Sequence, residues 1–279
     1  MAFLSHLIYG LQLGAIYALV ALGYSMVYGI IRLINFAHGD IIMVASFVVW
    51  YLIARLNVPV WLSILICVAF TSLLGVAIEK LAYKPLRHSA RISLLITAIG
   101  ISFFLQNAAQ LIFGADPVMF ENLFPGNLSL GALTVSRVSV IIICVSIVLM
   151  IALVLLVNKT RMGRAMRAVS EDESTAALMG INVNTTISFA FALGSALAAV
   201  AAILYSCAYT QISPTMGGML GLKAFVAAVL GGILIGICET LTKAYISSSF
   251  ADAIVFGILI VVLIIRPSGL LGVKTKEKV

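Results

Sequence analysis

The sequence has 279 residues, of which 63% are hydrophobic and only 10% charged, with a net charge of +7 and a mean hydropathy of +1.19. A soluble globular chain carries roughly 25% charged residues, so that class is excluded. The basic residues fall in short clusters between apolar blocks, not on the one extended face that a nucleic acid would require. The composition describes an all-α, polytopic membrane helical bundle of about eight spans with interrupted helices, one transmembrane domain over residues 1–279.

The first stretch, residues 3–31, contains no formal charge. It is too long for the apolar core of a signal peptide and follows no basic segment, so it reads as a retained span. Gly10, Gly14 and Ala18 recur at every fourth position, the spacing that lets helices approach closely in lipid. The run INFAHGD, residues 34–40, then interrupts the apolar pattern with Asn35, Phe36, His38, Gly39 and Asp40, where Gly39 reads as a helix breaker. Only residues 41–54 separate Asp40 from Arg55, fewer than the ~20 that a straight span needs. Either the span starts upstream and carries polar groups into the membrane, or it is a short segment after a cytoplasmic turn. Ionisable groups at membrane depth point to function; in an aqueous loop Arg32, His38 and Asp40 would only mark a boundary.

Residues 56–78 form an uncharged span that Glu79 and Lys80 end, and Lys84, Pro85, Arg87, His88 and Arg91 make a basic loop assigned to the cytoplasm. In the next span, residues 92–115, Gln106 and Gln110 share a face, suited to hydrogen bonding between helices or to lining a path. Residues 116–137 contain Pro117, Pro125 and Gly126 and almost no Lys or Arg, which describes an outside loop. Residues 138–157 cross back. Cys67, Cys144, Cys207 and Cys238 each lie in an apolar block without C-x-x-C spacing, supporting neither a disulfide framework nor a zinc site.

Residues 158–185 are the longest polar stretch. Arg161, Arg164 and Arg167 recur every third residue while Met162, Met166 and Val169 occupy another side, so the first part is an amphipathic helix. Ser170 and Glu173 have capping-box spacing, and Glu171, Asp172 and Glu173 suit the positive end of a second short helix that Gly180 would stop. The stretch is either a loop whose arginines reach lipid headgroups or a docking element for a cytoplasmic partner.

Residues 187–209 go out again, with Gly194, Ala198 and Ala202 at fourfold spacing, and Ser213, Pro214, Gly217, Gly218 and Gly221 make an outside turn. The basic tail after Arg266 belongs inside. An odd number of crossings must therefore lie between Lys223 and Ile265, yet the apolar segments there, residues 224–238 and 253–265, are each shorter than a span. No phosphate-binding loop, H-E-x-x-H or G-x-S-x-G motif occurs, so any ATP hydrolysis would belong to another chain.

Four segments in order, GYSMVYGIIRLINFAHGDIIMVASF, TRMGRAMRAVSEDESTAALMGIN, GLKAFVAAVLGG and IVFGILIVVLIIRPSGLLG, resemble the inner-membrane permease subunits of bacterial branched-chain amino-acid ABC transporters. The similarity covers nearly the whole chain and fits the shorter of the two permeases. It implies a non-enzymatic, multi-pass subunit of the bacterial inner membrane without cofactor, working in the lipid bilayer with a second permease subunit, two cytoplasmic ABC ATPase subunits and a periplasmic solute-binding protein. The implied cargo is a branched-chain or other small neutral amino acid, although permeases for amides or urea carry similar motifs. The resemblance assigns Arg161, Gly163, Arg164, Arg167, Glu171, Asp172, Glu173 and Gly180 to a coupling loop that sits in a groove of the ATPase. It also places Asn35, Phe36, His38, Gly39 and Asp40 near the translocation path, with Gln106, Gly231 and Gly232 as further path candidates.

Members of that family usually continue after this Gly-Gly through a further turn and a second Gly-Gly, whereas here Gly232 runs directly into ILIGICE. The chain is therefore expected to break at Gly231 and Gly232. One half-helix would descend from Lys223, another would rise from Ile233 through Glu239, and a last span would return from near Ser247, making three crossings. The alternative to an importer subunit is a secondary carrier driven by an ion gradient, with His38, Asp40 or Glu239 as a proton relay. The internal repeats usual in such carriers are not evident.

Overall fold

The computed structural model describes residues 2–31, 35–87, 89–130 and 133–266. In chain order the helices are α1 (Ala2–Ile31), α2 (Ala37–Ala54), α3 (Val60–Ile78), α4 (Arg91–Phe113), α5 (Arg137–Lys159), α6 (Arg161–Glu171), α7 (Glu173–Leu178), α8 (Val183–Tyr209), α9 (Met216–Leu230), α10 (Gly232–Tyr245) and α11 (Ala251–Ile265). Among the described residues seven helical segments, all but α6, α7, α9 and α10, are long and apolar enough to cross a membrane. With the broken pair α9–α10 they account for the eight apolar segments of the sequence.

The two ends of the bundle differ in charge. Arg87, just past α3, donates to Asn184 at the start of α8, which places the Lys80–Lys84–Arg87 cluster at the same end as α6 with its three arginines. That concentration of cations makes this end the cytoplasmic one. At the opposite end, the expected outside loop over residues 116–137 carries strands: β1 (Val118–Met119), β2 (Asn127–Leu130) and β3 (Leu133–Ser136). Strand β2 pairs antiparallel with β3, and β1 pairs with β4 (Gln211–Ile212), tying the chain after α4 to the chain after α8. Paired edges satisfy backbone groups that irregular loop would leave to water.

Close approach between helices depends on the small-residue faces. Along α1, a Cβ on Gly14 would lie 2.7 Å from Ile233 Cα, and one on Gly232 would lie 2.3 Å from the Ala18 nitrogen, so α10 runs against the Gly10–Gly14–Ala18 face backbone to backbone. In α8, a Cβ on Gly194 would lie 2.8 Å from the Gly23 carbonyl oxygen, and Ala198 and Ala202 are fully buried. Helix α8 packs on α1, α2 and α3 and forms the centre of the bundle. The cysteines are unpaired, and buried Cys67 donates to the Ala45 carbonyl 3.3 Å away, a packing role.

The break falls where it is expected. Gly231 has φ +94°, which glycine adopts without strain, and the axes of α9 and α10 differ by 119°. The crossing count, however, needs correction. Helices α9 and α10 have 15 and 14 residues, about 22 and 21 Å, well short of a hydrocarbon core of about 30 Å. Helix α9 starts just after β4 at the outer end, the Gly231–Gly232 bend sits opposite Ala18 at mid-α1, and α10 ends with Tyr245 against His6 near the start of α1. The pair thus dips in from outside and returns, and α11 alone supplies the odd crossing. Backbone of this kind is tolerated at membrane depth only where protein surrounds it.

Candidate functional site

Helix α2 starts inside the bundle, not in an aqueous loop: Asn35, His38 and Asp40 are all buried. Gly39 does not break the helix. It lies within α2 at a crossing with α9, where its Cβ would fall 2.0 Å from the Gly217 carbonyl oxygen and 2.5 Å from the Gly221 nitrogen. Phe36, half-buried, precedes the first helical residue, and its carbonyl faces Gly221. Gln106 of α4 donates to Asp40 Oδ1 at 2.9 Å, an interhelical bond of the kind its position allows. The imidazole of His38 sits against Gly23, hydrogen-bonded to the Val20 backbone. Among the described residues its Nε2, Asp40 Oδ2 and Asn35 Nδ2 have no partner, and buried groups of that kind are costly enough to suggest a role beyond packing. Gly231 and Gly232 lie across α1 from the cluster, since Ala18 touches Gly232 while Val20, two residues on and so on the far side of the helix, meets His38.

A second set of contacts runs from this cluster to the cytoplasm. Helix α3 continues through a π-helical turn, Glu79–Tyr83, and such turns recur at functional sites. From it the Tyr83 hydroxyl donates to Asn35 Oδ1 at 2.9 Å. At its other end buried Glu79 accepts from Arg87 at 2.8 Å and from Ser188 of α8 at 2.6 Å. The start of α8, immediately after α7, is thereby bonded to the π turn, and the π turn to α2.

At the cytoplasmic end, α6 buries Gly163, Met166 and Val169 and exposes Arg161 and Arg164. Arg167 instead turns back onto the Val157 carbonyl and Asn158, closing the end of α5. Gly163 is a packing residue, since a Cβ there would lie 2.2 Å from the Val157 oxygen. The expected Ser170–Glu173 capping box does not form. Asp172 is the cap, accepting from the Ser174 and Thr175 backbone N–H groups and from both hydroxyls, while Ser170 donates to the Arg167 carbonyl. Those bonds, led by the one from Ser174, hold the Asp172 carboxyl far below its usual range. Glu171 ends α6, Glu173 opens α7, and Gly180, with φ +81°, follows the end of α7 as expected. Leu178 and Met179 at this corner are 87% and 79% exposed.

Glu239, a candidate proton carrier, is clamped. It accepts from Lys223 at 2.8 Å, Lys243 at 2.6 Å and the Tyr17 hydroxyl at 2.9 Å, and Lys223 also bridges Asp252 at 2.7 Å. The network joins α1, α9, α10 and α11 and pins the re-entrant pair, which leaves the carrier alternative without a mobile acid at this position.

A family model described as the permease component of a branched-chain amino acid transport system matches residues 6–265. The chain belongs to this family of permease components. It is 40% identical to the Escherichia coli K12 high-affinity branched-chain amino acid transport system permease protein LivH, over 99% of this chain and 98% of that one. The same figures hold for BraD of Pseudomonas aeruginosa, and a probable LivH of Methanocaldococcus jannaschii is 30% identical over 93% of this chain and 89% of its own. No solved structure matches. The alignment with LivH spans 301 positions against 279 residues here, so that relative carries residues this permease lacks.

Within this family member, sequence reasoning missed Tyr83, Arg87 and the ion network. Glu239 and Lys243 stand one turn apart on α10 and were visible as an i, i+4 pair, but Lys223 and Asp252 join them only because the chain reverses at Gly231.

Proposed function

We propose that this chain is the membrane permease subunit of an ATP-driven ABC importer that moves branched-chain or other small neutral amino acids across the inner membrane into the cytoplasm. ATP is hydrolysed by two separate cytoplasmic subunits, a second permease completes the membrane core, and a periplasmic binding protein delivers the solute. The observation that carries this reading is the α6–α7 corner, an amphipathic pair that buries one face against α1 and α8 and offers Leu178 and Met179 to the cytoplasm.

In this account the ATPase docks on α6–α7, with Arg161, Arg164, Glu171, Asp172, Glu173 and Gly180 forming or shaping the contact and Gly163 and Arg167 fixing the corner to α5. Movement of α7 carries Asn184 and Ser188, hence Arg87 and Glu79, hence the π turn and Tyr83, and so displaces Asn35 at the buried start of α2. Asn35, His38, Asp40 and Gln106, with the Gly231–Gly232 bend across α1, then border the path that opens. The membrane groups nearest that path are amides, one imidazole and one carboxylate, chemistry suited to brief passage of a small zwitterion. Purifying the chain from its own membranes in detergent and reconstituting it tests this: ATPase subunits should accompany it and leucine uptake should require ATP. Uptake driven by an ion gradient, with no ATPase subunits present, would refute it.

A further inference from the structure

A cavity of about 440 Å³ opens at the outer end, between the starts of α1 and α5 and the ends of α8 and α10, and no path candidate lines it. Its volume is in the range of small-molecule sites. Its polar lining includes Gln12, Asn122, Ser139, Tyr209, Thr240 and Lys243, with Leu13 and Val138 on the apolar side. Ser139 donates to Gln12 Oε1, which leaves the amide NH2 as the donating end. Among the described lining residues Lys243 is the one charged group.

The ion network makes Lys243 available to a ligand. Glu239 retains Lys223 at 2.8 Å and Tyr17 at 2.9 Å if Lys243 swings away, so the buried carboxylate stays paired. The two lysines differ in mobility: the Lys223 side chain is 8% exposed and locked between Glu239 and Asp252, whereas that of Lys243 is 37% exposed on the cavity. Hydroxyl and amide donors converge beside a releasable ammonium, with an aliphatic wall opposite.

We propose that this cavity is an outer vestibule that takes the carboxylate of a small aliphatic zwitterion at Lys243, with its side chain on Leu13 and Val138. It rests on the importer reading above and adds a site within this subunit at which the incoming solute is recognised. Ion pairing at a half-exposed site is modest, so the vestibule orients and passes the solute on.

The test uses the complete transporter in spheroplasts, with the four native cysteines replaced by alanine and Thr240→Cys as reporter. Membrane-impermeant methanethiosulfonates, one sulfonated and one carrying trimethylammonium, are applied from outside. The anionic reagent should react faster, and Lys243→Gln should change the ratio of rates on the order of tenfold, the scale of one charge-assisted hydrogen bond. Lys243→Arg should keep the ratio, which shows that charge and not a folding defect is responsible. L-leucine should slow modification and L-leucinol, which lacks the carboxylate, should not. A ratio indifferent to Lys243→Gln, protection by leucinol equal to that by leucine, no protection by leucine, or no modification of the reporter each overturns the proposal. ATP-driven uptake by the parent is measured alongside; its absence would count against the importer reading, while the rate ratio still reports on the cavity.

Discussion

The hydroxyl of Tyr83 donates to the side-chain oxygen of Asn35 at 2.9 Å, joining the π-helical end of α3 to the buried start of α2. Tyr83 and Asn35 lie 48 residues apart in the chain, and Glu79 of the π turn lies 109 residues from its α8 partner Ser188, so only packing brings the three together.

Tyr83→Phe keeps the ring against Phe191, 5.5 Å away, and removes only this bond. Stability should fall by about 1–3 kcal/mol, because the buried Asn35 Oδ1 loses its donor. Uptake per ATP hydrolysed should fall in the assembled transporter. A proportional loss of both activities would reduce Tyr83 to a packing role.

Gly39→Ala should be among the most damaging single changes, since the new methyl would meet the Gly217 carbonyl oxygen at 2.0 Å. Overpacking of this kind costs typically ~1–3 kcal/mol or more. Gly29→Ala is the control, with nothing within 4 Å of its Cβ position. Thermal unfolding in detergent should be lowered by the first and unchanged or raised by the second.

Lys223→Met removes a cation from buried Glu239 and from half-exposed Asp252. Breaking a buried pair costs about 3–5 kcal/mol, and Lys243 should hold the loss near the lower end. Adding Glu239→Met should recover much of it, because the uncompensated charge disappears. A double variant no better than Lys223→Met would show that the network does not pin the re-entrant pair.

The composition and the spacing of small residues made the helical bundle readable, as did the glycine break, because lipid imposes length and charge limits that act residue by residue. Gly10, Gly14 and Ala18 do form a seam. The site was less legible. The roles of Gly39 and Asp172 depend on which neighbour arrives: Gly217 for the first, the Ser174 and Thr175 N–H groups for the second. The re-entrant course of α9 and α10 could not be separated from two crossings by counting, since both leave the tail inside.

Asp172 predicts a pH dependence at the α6–α7 corner. Its folded-state value lies below the unfolded one, roughly 3.9, so its capping contribution is complete above that value and is lost as pH falls through the folded value. Hydrogen exchange of the Ser174 and Thr175 amides should be slow at neutral pH and should gain protection loss only on strong acidification. Asp172→Ala should show the unprotected behaviour at neutral pH, with no further change on acidification.

The most direct test of the central claim is co-purification and uptake with Leu178→Asp and Met179→Asp combined. Both side chains are exposed, so the permease should still insert and fold. The account predicts that the ATPase subunits no longer accompany it and that ATP-driven uptake is lost. Undiminished uptake with the ATPase subunits still bound would contradict the assignment of α6–α7 as the docking corner.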